Sequence, residues 1–163
     1  MKNVVCDLCF HHCVLKEGQR GFCRARIVKH GKIICENYGK ITSLALDPIE
    51  KKPLRRFHPG SNILSIGSYG CNMRCPFCQN HEISMSETIP YHPISPATLV
   101  ELACAKRKDG NIGIAFTYNE PLISYEYVFD CAVAAKAKDL AVVIVSNGMI
   151  ETTKLLALLP YID

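Results

Sequence analysis

The sequence predicts an α/β fold: parallel strands alternating with helices, preceded by a small cysteine-rich module. Three observations predict it. From Asn62 onward, short apolar runs alternate with stretches of helical period in the order β-α-β-α-β-α, the pattern of a parallel sheet with right-handed crossovers. LAVVIVS (140–146) is almost continuously apolar, as a strand covered on both faces should be. The chain holds 10 cysteines, and seven of them fall in two tight groups.

Taken in order, residues 1–24 are rich in cysteine and glycine and show little helical period. ARIVKHGKIICENYG (25–39) reads as two short strands around a His30-Gly31 turn. Residues 40–61, with DPIEKKPL and HPG, are proline-rich and charged and read as a connector. ILSIGS (63–68) is a short strand running into a cysteine-bearing loop. SPATLVELACAKRKDG (95–110) is a helix with Ser95 as N-cap, Pro96 in the first turn and Gly110 past the end. IGIAFT (112–117) is the next strand. PLISYEYVFDCAVAAKAKD (121–139) is a second helix, LAVVIVS a third strand and TTKLLALL (152–159) a third helix. YID (161–163) has the composition to begin another strand. The expected division is residues 1–61, a metal-binding module with hairpin and connector, and residues 62–163, about three βα units. A closed eight-unit barrel usually takes about 250 residues, so the pattern reads as the first part of such a barrel.

Composition sets further bounds. The formal net charge is +4 in 163 residues, 48% of them hydrophobic. No N-terminal stretch has the order of a signal peptide. No apolar run reaches the roughly 18 residues of a membrane span. The expectation is a cytoplasmic protein without a membrane partner. Basic residues concentrate in KKPLRR (51–56) and KRK (106–108). They lack interleaved aromatics, so they read as solvated faces and argue against nucleic acid.

The cysteines carry the chemistry. Cys6, Cys9, Cys13 and Cys23 are spaced C-x2-C-x3-C-x9-C. Half of that pattern is common in structural zinc sites, and His11 or His12 could replace one thiol. A second [4Fe–4S] cluster fits the same spacing, as do buried thiols without metal. Cys71, Cys75 and Cys78 lie in CNMRCPFC (71–78), spaced C-x3-C-x2-C. Four thiolates saturate a [4Fe–4S] cluster, while three leave one iron without a protein ligand. Zinc with His81 as fourth ligand is the alternative. Cys104 and Cys131 sit in helical apolar patterns and read as small buried hydrophobes. Cys35 has no assigned role.

GCNMRCPFCQN (70–80) resembles the signature loop of radical S-adenosylmethionine (SAM) enzymes, with Phe77 as the aromatic before the last cysteine. CDLCFHHCVLKEGQRGFCRAR (6–26), YGKITSLALDPIEKKPL (38–54), PGSNILSIGSYGCNMRCPFCQN (59–80) and FTYNEP (116–121) together resemble the radical SAM enzyme of the AmmeMemoRadiSam system. That group is akin to pyruvate formate-lyase activating enzymes. The resemblance implies a partial (β/α) barrel of the radical SAM type. It implies a [4Fe–4S] cluster on Cys71, Cys75 and Cys78, with SAM chelating the open iron. Reductive cleavage of SAM would give a 5′-deoxyadenosyl radical, with electrons from a low-potential donor such as flavodoxin or ferredoxin and a protein as one candidate substrate. Phe77 would lie near the adenine. Glu120 matches the carboxylate of a Gly-Gly-Glu motif that binds the SAM amino group, with Tyr118 and Asn119 in place of the glycines. Ser146 and Asn147 match an Asn-Gly turn near the ribose and carboxylate. CNMRCPFC, TYNEP and SNG (146–148) each follow a strand, so all three belong at the edge where βα folds place their sites.

Overall fold

A computed structural model describes residues 3–86 and 88–163. The elements in chain order are β1 (Val4–Val5), β2 (Val14–Leu15), β3 (Arg26–Lys29), β4 (Lys32–Cys35), β5 (Lys40–Ile41), β6 (Ser43–Pro48), β7 (Asn62–Gly67), α1 (His81–Met85), β8 (His92–Pro93), α2 (Pro96–Ala105), β9 (Asn111–Phe116), α3 (Tyr125–Lys136), β10 (Ala141–Ile144) and α4 (Thr152–Leu158). A mixed α/β architecture results, built on an open four-stranded sheet in the order β10-β9-β7-β6. β10, β9 and β7 run parallel and are the three strands that the apolar runs predict.

β6 pairs antiparallel with β7, from Ser43 opposite Gly67 to Pro48 opposite Asn62. The sequence places this segment inside the connector. Its apolar period is weak because it is an edge strand: Leu44 stays exposed and most of its other residues are half-buried. Proline at the end of such a strand removes no ladder bond that the sheet needs.

The sheet buries both faces with different partners, as alternation along each strand requires. Leu64, Ile66, Ile114, Phe116 and Val142 pack against Leu99, Ala103, Val128, Cys131, Ala132 and Ala135 of α2 and α3. On the other face Ile63, Ala115 and Val143 meet Ile49, with Leu54 and Phe57 against them. The segment 49–57, which opens with a 3-10 turn at Ile49–Lys51, therefore covers the face on which none of the described α-helices contributes to the buried cluster. Lys52 of the basic run is buried there, contrary to the expectation of a solvated face.

Local signals explain the element ends. Ser95 Oγ accepts the Thr98 N–H at 3.1 Å, so Ser95 is the N-cap of α2. α2 gives way to a 3-10 turn at Lys106–Asp109, which Gly110 ends at φ 78°. The β3–β4 hairpin turns at His30 and Gly31, both at positive φ. The Glu17 carboxylate holds that turn by accepting both of its N–H groups. Pro121–Ser124 form a 3-10 turn ahead of α3, so the second helix starts later than its sequence pattern. Residues 161–163 form no assigned strand, but the Asp163 N–H donates to Val142 O at 3.0 Å on the outer edge of β10.

The N-terminal module opens with a β1–β2 hairpin, and its Cys6, Leu8, Cys23 and Ala25 pack on Ile123. Arg26, its side chain 7% exposed, reaches Glu126 of α3 at 2.6 Å. Among the described residues no helix is long and apolar enough to cross a membrane.

Candidate functional site

Three loops leave the C-terminal ends of the parallel strands: 68–80 after β7, 117–124 after β9 and 145–151 after β10. Parallel order puts all three at one edge. Side chains tie them together. Asn119 Oδ1 accepts the Ser68 N–H at 3.0 Å, and its Nδ2 donates to Tyr69 O and Gly70 O at 3.3 and 3.1 Å. Glu120 Oε1 accepts from Leu122 N and Ser146 Oγ at 2.9 and 2.8 Å, and Oε2 accepts the Asn147 N–H at 2.8 Å. Asn147 Nδ2 in turn donates to Asn72 Oδ1, and Asn72 Nδ2 to Met149 O.

Glu120 is the chemically distinctive member. It is 3% exposed, and its polar partners among the described residues are all neutral. Burial raises its carboxyl above the usual range, although the N–H groups of Asn147 and Leu122 and the Ser146 hydroxyl pull the other way. A buried carboxylate without a cation is costly, so this pocket favours an added positive charge. The Leu122 N–H also makes Glu120 the cap of the 3-10 turn.

Cys71, Cys75 and Cys78 share the first loop and are all half-buried. Burial raises the Cys71 thiol, and the charges of Glu120, Cys78 and Cys75 add to it against a hydrogen bond from the Met73 N–H. Cys75 O accepts the Cys78 N–H in a tight turn, while Cys78 Sγ stands 3.4 Å from Ser84 Oγ. Phe77 is 85% exposed. The loop base is fixed more firmly: at Gly70, with φ 88°, an added Cβ would lie 2.4 Å from Cys23 O. Only glycine allows that approach and that conformation together.

That approach also brings in the N-terminal module. Cys6, Cys9 and Cys23 are buried and Cys13 is partly so. Burial pushes Cys23 up to about 11 and also raises Cys9, where the charges of Cys6 and Cys13 reinforce it. All described cysteines are free thiols. His11 Nε2 bonds Asn72 O at 2.9 Å, and Arg74 Nη2 donates to Phe22 O at 2.7 Å while its guanidinium lies 4.2 Å from the Phe22 ring. Among the described residues no group of three or more His, Cys, Asp or Glu side chains stands close enough to hold a metal ion. The thiols thus sit by loop and by module without closing on a point. Their donor chemistry still fits, because deprotonated thiols are the ligands that iron–sulfur clusters and zinc take.

The structure therefore joins Glu120, Ser146 and Asn147 by direct bonds and puts the cysteine loop beside them. Sequence reasoning missed Asn72 and treated Asn119 only as a departure from glycine. Asn72, 1% exposed, could have been found as a polar residue between two ligand-type cysteines.

Residues 65–161 match the Radical SAM superfamily model. The chain is 43% identical over 158 residues to the uncharacterized protein MJ0808 of Methanocaldococcus jannaschii, covering 96% of this chain and 46% of that protein. It is 33% identical over 128 residues to the uncharacterized protein MJ0674 of the same organism, covering 74% of this chain and 32% of that protein. The chain thus spans less than half the length of either relative.

Proposed function

Because the chain belongs to the radical SAM superfamily, we propose that Cys71, Cys75 and Cys78 hold a [4Fe–4S] cluster and that Glu120, Ser146 and Asn147 bind SAM beside it. The observation that carries this reading is Glu120, a buried carboxylate whose partners among the described residues are all neutral, tied to the loop after β10 and acting electrostatically on Cys71. When bound, cluster and SAM together supply one-electron reductive cleavage of SAM to a 5′-deoxyadenosyl radical. The protein's part is to bind and orient. The Glu120 carboxylate accepts the SAM ammonium, an ion pair strengthened by burial. The Asn147 side-chain amide, whose other N–H goes to Asn72, presents a donor to ribose or carboxylate, while the Ser146 hydroxyl, its one proton given to Glu120, offers a lone pair to a ribose hydroxyl. Phe77, exposed on the cysteine loop, would lie near the adenine.

Finer features belong to the same proposal. The three parallel strands with α2 and α3 are the start of a (β/α) barrel akin to that of pyruvate formate-lyase activating enzymes and the AmmeMemoRadiSam group. Residues 1–61 form a module whose Cys6, Cys9, Cys13 and Cys23 hold a second metal, zinc or another iron–sulfur cluster. A flavodoxin- or ferredoxin-like protein supplies the electron, and a protein is one candidate substrate.

The test is anaerobic reconstitution. The protein should take up four irons at the loop site, and SAM should change the reduced cluster's electron paramagnetic resonance spectrum. Dithionite should then release methionine and 5′-deoxyadenosine. A variant with Cys71, Cys75 and Cys78 all replaced by Ala that keeps this iron would defeat the assignment.

A further inference from the structure

We infer that Asp47 and Lys52 are positioning residues for the SAM-binding rim: they anchor the Tyr118 side chain and so hold the turn that aims Asn119 and Glu120. The inference rests on the reading of that rim given above.

Tyr118 has φ 72°, and the Asn119 N–H donates to Thr117 O at 3.0 Å across it. That is a γ-turn of the left-handed kind, which is strained for any residue with a Cβ. Such strain persists only where the surroundings over-determine it, and here they do. Tyr118 Oη donates to Asp47 Oδ2 at 2.8 Å. Lys52 Nζ lies 4.8 Å from the Tyr118 ring centroid and donates to the same Asp47 oxygen at 2.7 Å. Asp47 is itself fixed on β6 opposite Ile63 of β7. The ring is seated over Gly67, where an added Cβ would come 2.9 Å from Tyr118 Cβ and Cδ2.

The next two residues do the aiming. Asn119 grips the base of the cysteine loop and Glu120 grips the loop after β10. A turn that relaxed would move both grips at once. The charged part of DPIEKKPL, far in sequence from the rim, thereby acts on it through one tyrosine. A ring that merely filled space would make a different prediction, because then glycine would be the worst replacement.

The discriminating experiment compares Tyr118→Ala with Tyr118→Gly. Alanine keeps the strain and loses the anchor, whereas glycine loses both. In the metal-free chain, amide hydrogen exchange at Ser68 and Asn147 should be about tenfold faster in Tyr118→Ala and in Asp47→Asn, with the β9–β10 ladder unchanged. Tyr118→Gly should restore slow exchange. After reconstitution, SAM should bind about tenfold more weakly to Tyr118→Ala than to Tyr118→Gly at equal iron content. Should Tyr118→Ala fail to fold, Tyr118→Phe, which drops only the hydroxyl, carries the test at the same two amides and should also speed them. Glycine as damaging as alanine, or Ser68 and Asn147 unmoved in Asp47→Asn and Tyr118→Phe, overturns the inference. If the wild-type protein takes up a cluster and does not bind SAM, the functional reading fails, while the exchange data still decide whether the anchor exists.

Discussion

Two acids, Asp47 on the edge strand β6 and Glu120 in the loop after β9, are about equally hidden from water at 5% and 3% exposure, yet their surroundings are opposite. Asp47 receives Lys51 and Lys52 at 2.8 and 2.7 Å. Burial alone would raise its carboxyl, but hydrogen bonds from those lysines and from Tyr118 outweigh it and hold the group well below the usual range. Glu120 has, among the described residues, only neutral donors, and stays above it. The difference teaches how to tell a structural acid from a binding one. A charge that the fold has already neutralised serves the fold, and a charge left with neutral donors suits a ligand that brings the cation.

The largest effect expected from this contrast is on stability. Asp47→Ala leaves the Lys52 ammonium, 3% exposed, without its partner, which should cost about 3–5 kcal/mol. Glu120→Ala strands only neutral donors and should cost about 1–3 kcal/mol, while SAM affinity falls by the equivalent of about 2–5 kcal/mol. Urea unfolding of both variants measures the first pair of numbers and calorimetric titration with SAM the last. Equal destabilisation by the two would break the comparison.

A smaller effect lies in the acid titration, where the two groups act with opposite sign. Asp47 has its folded pKa below its ordinary 3.8, so its contribution is complete above that pH and is lost as pH falls through the folded value. Glu120 has its folded pKa above its ordinary 4.5. The folded state therefore holds that proton longer, and stability falls as pH rises from 4.5 through the folded value. The slope of unfolding free energy against pH in this upper window should become less negative in Glu120→Ala. An unchanged slope there would mean that Glu120 is not raised. Smallest of all, Ser146→Ala removes one exposed hydroxyl donor, should cost about 1 kcal/mol, and should shift the Glu120 titration further upward. A downward shift seen by carboxyl NMR would contradict the geometry.

Much of this was legible in the sequence, and for definable reasons. The β7, β9 and β10 segments and helices α2 and α3 announce themselves because burial demands apolar residues at a fixed period. TYNEP and SNG could be placed beside the cysteine loop because parallel strands bring their C-terminal ends to one edge, and Glu120 does bond Ser146 and Asn147. β6 escaped because an edge strand needs no strong pattern. The bonds of Asp47 to Tyr118 and of Asn72 to Asn147 escaped because a polar pair separated by some seventy residues leaves no local mark. Lys52 was misjudged for a different reason: its acid, Asp47, stands only five residues away, but nothing local shows that the segment 49–57 folds onto the sheet and buries the pair.

The docking of the N-terminal module has a consequence for the order in which the protein can be made. Its small core needs Ile123, and Leu8 O accepts the Glu151 N–H at 2.9 Å. On a ribosome, where synthesis proceeds at about 5–20 residues per second, the first hairpin emerges early and its anchors emerge late. For those seconds four thiols wait in the open, beside a loop not yet translated. Thiol oxidation in that interval would act on the undocked module, so cells that limit oxygen during translation should yield more intact protein than cells that limit it only afterwards.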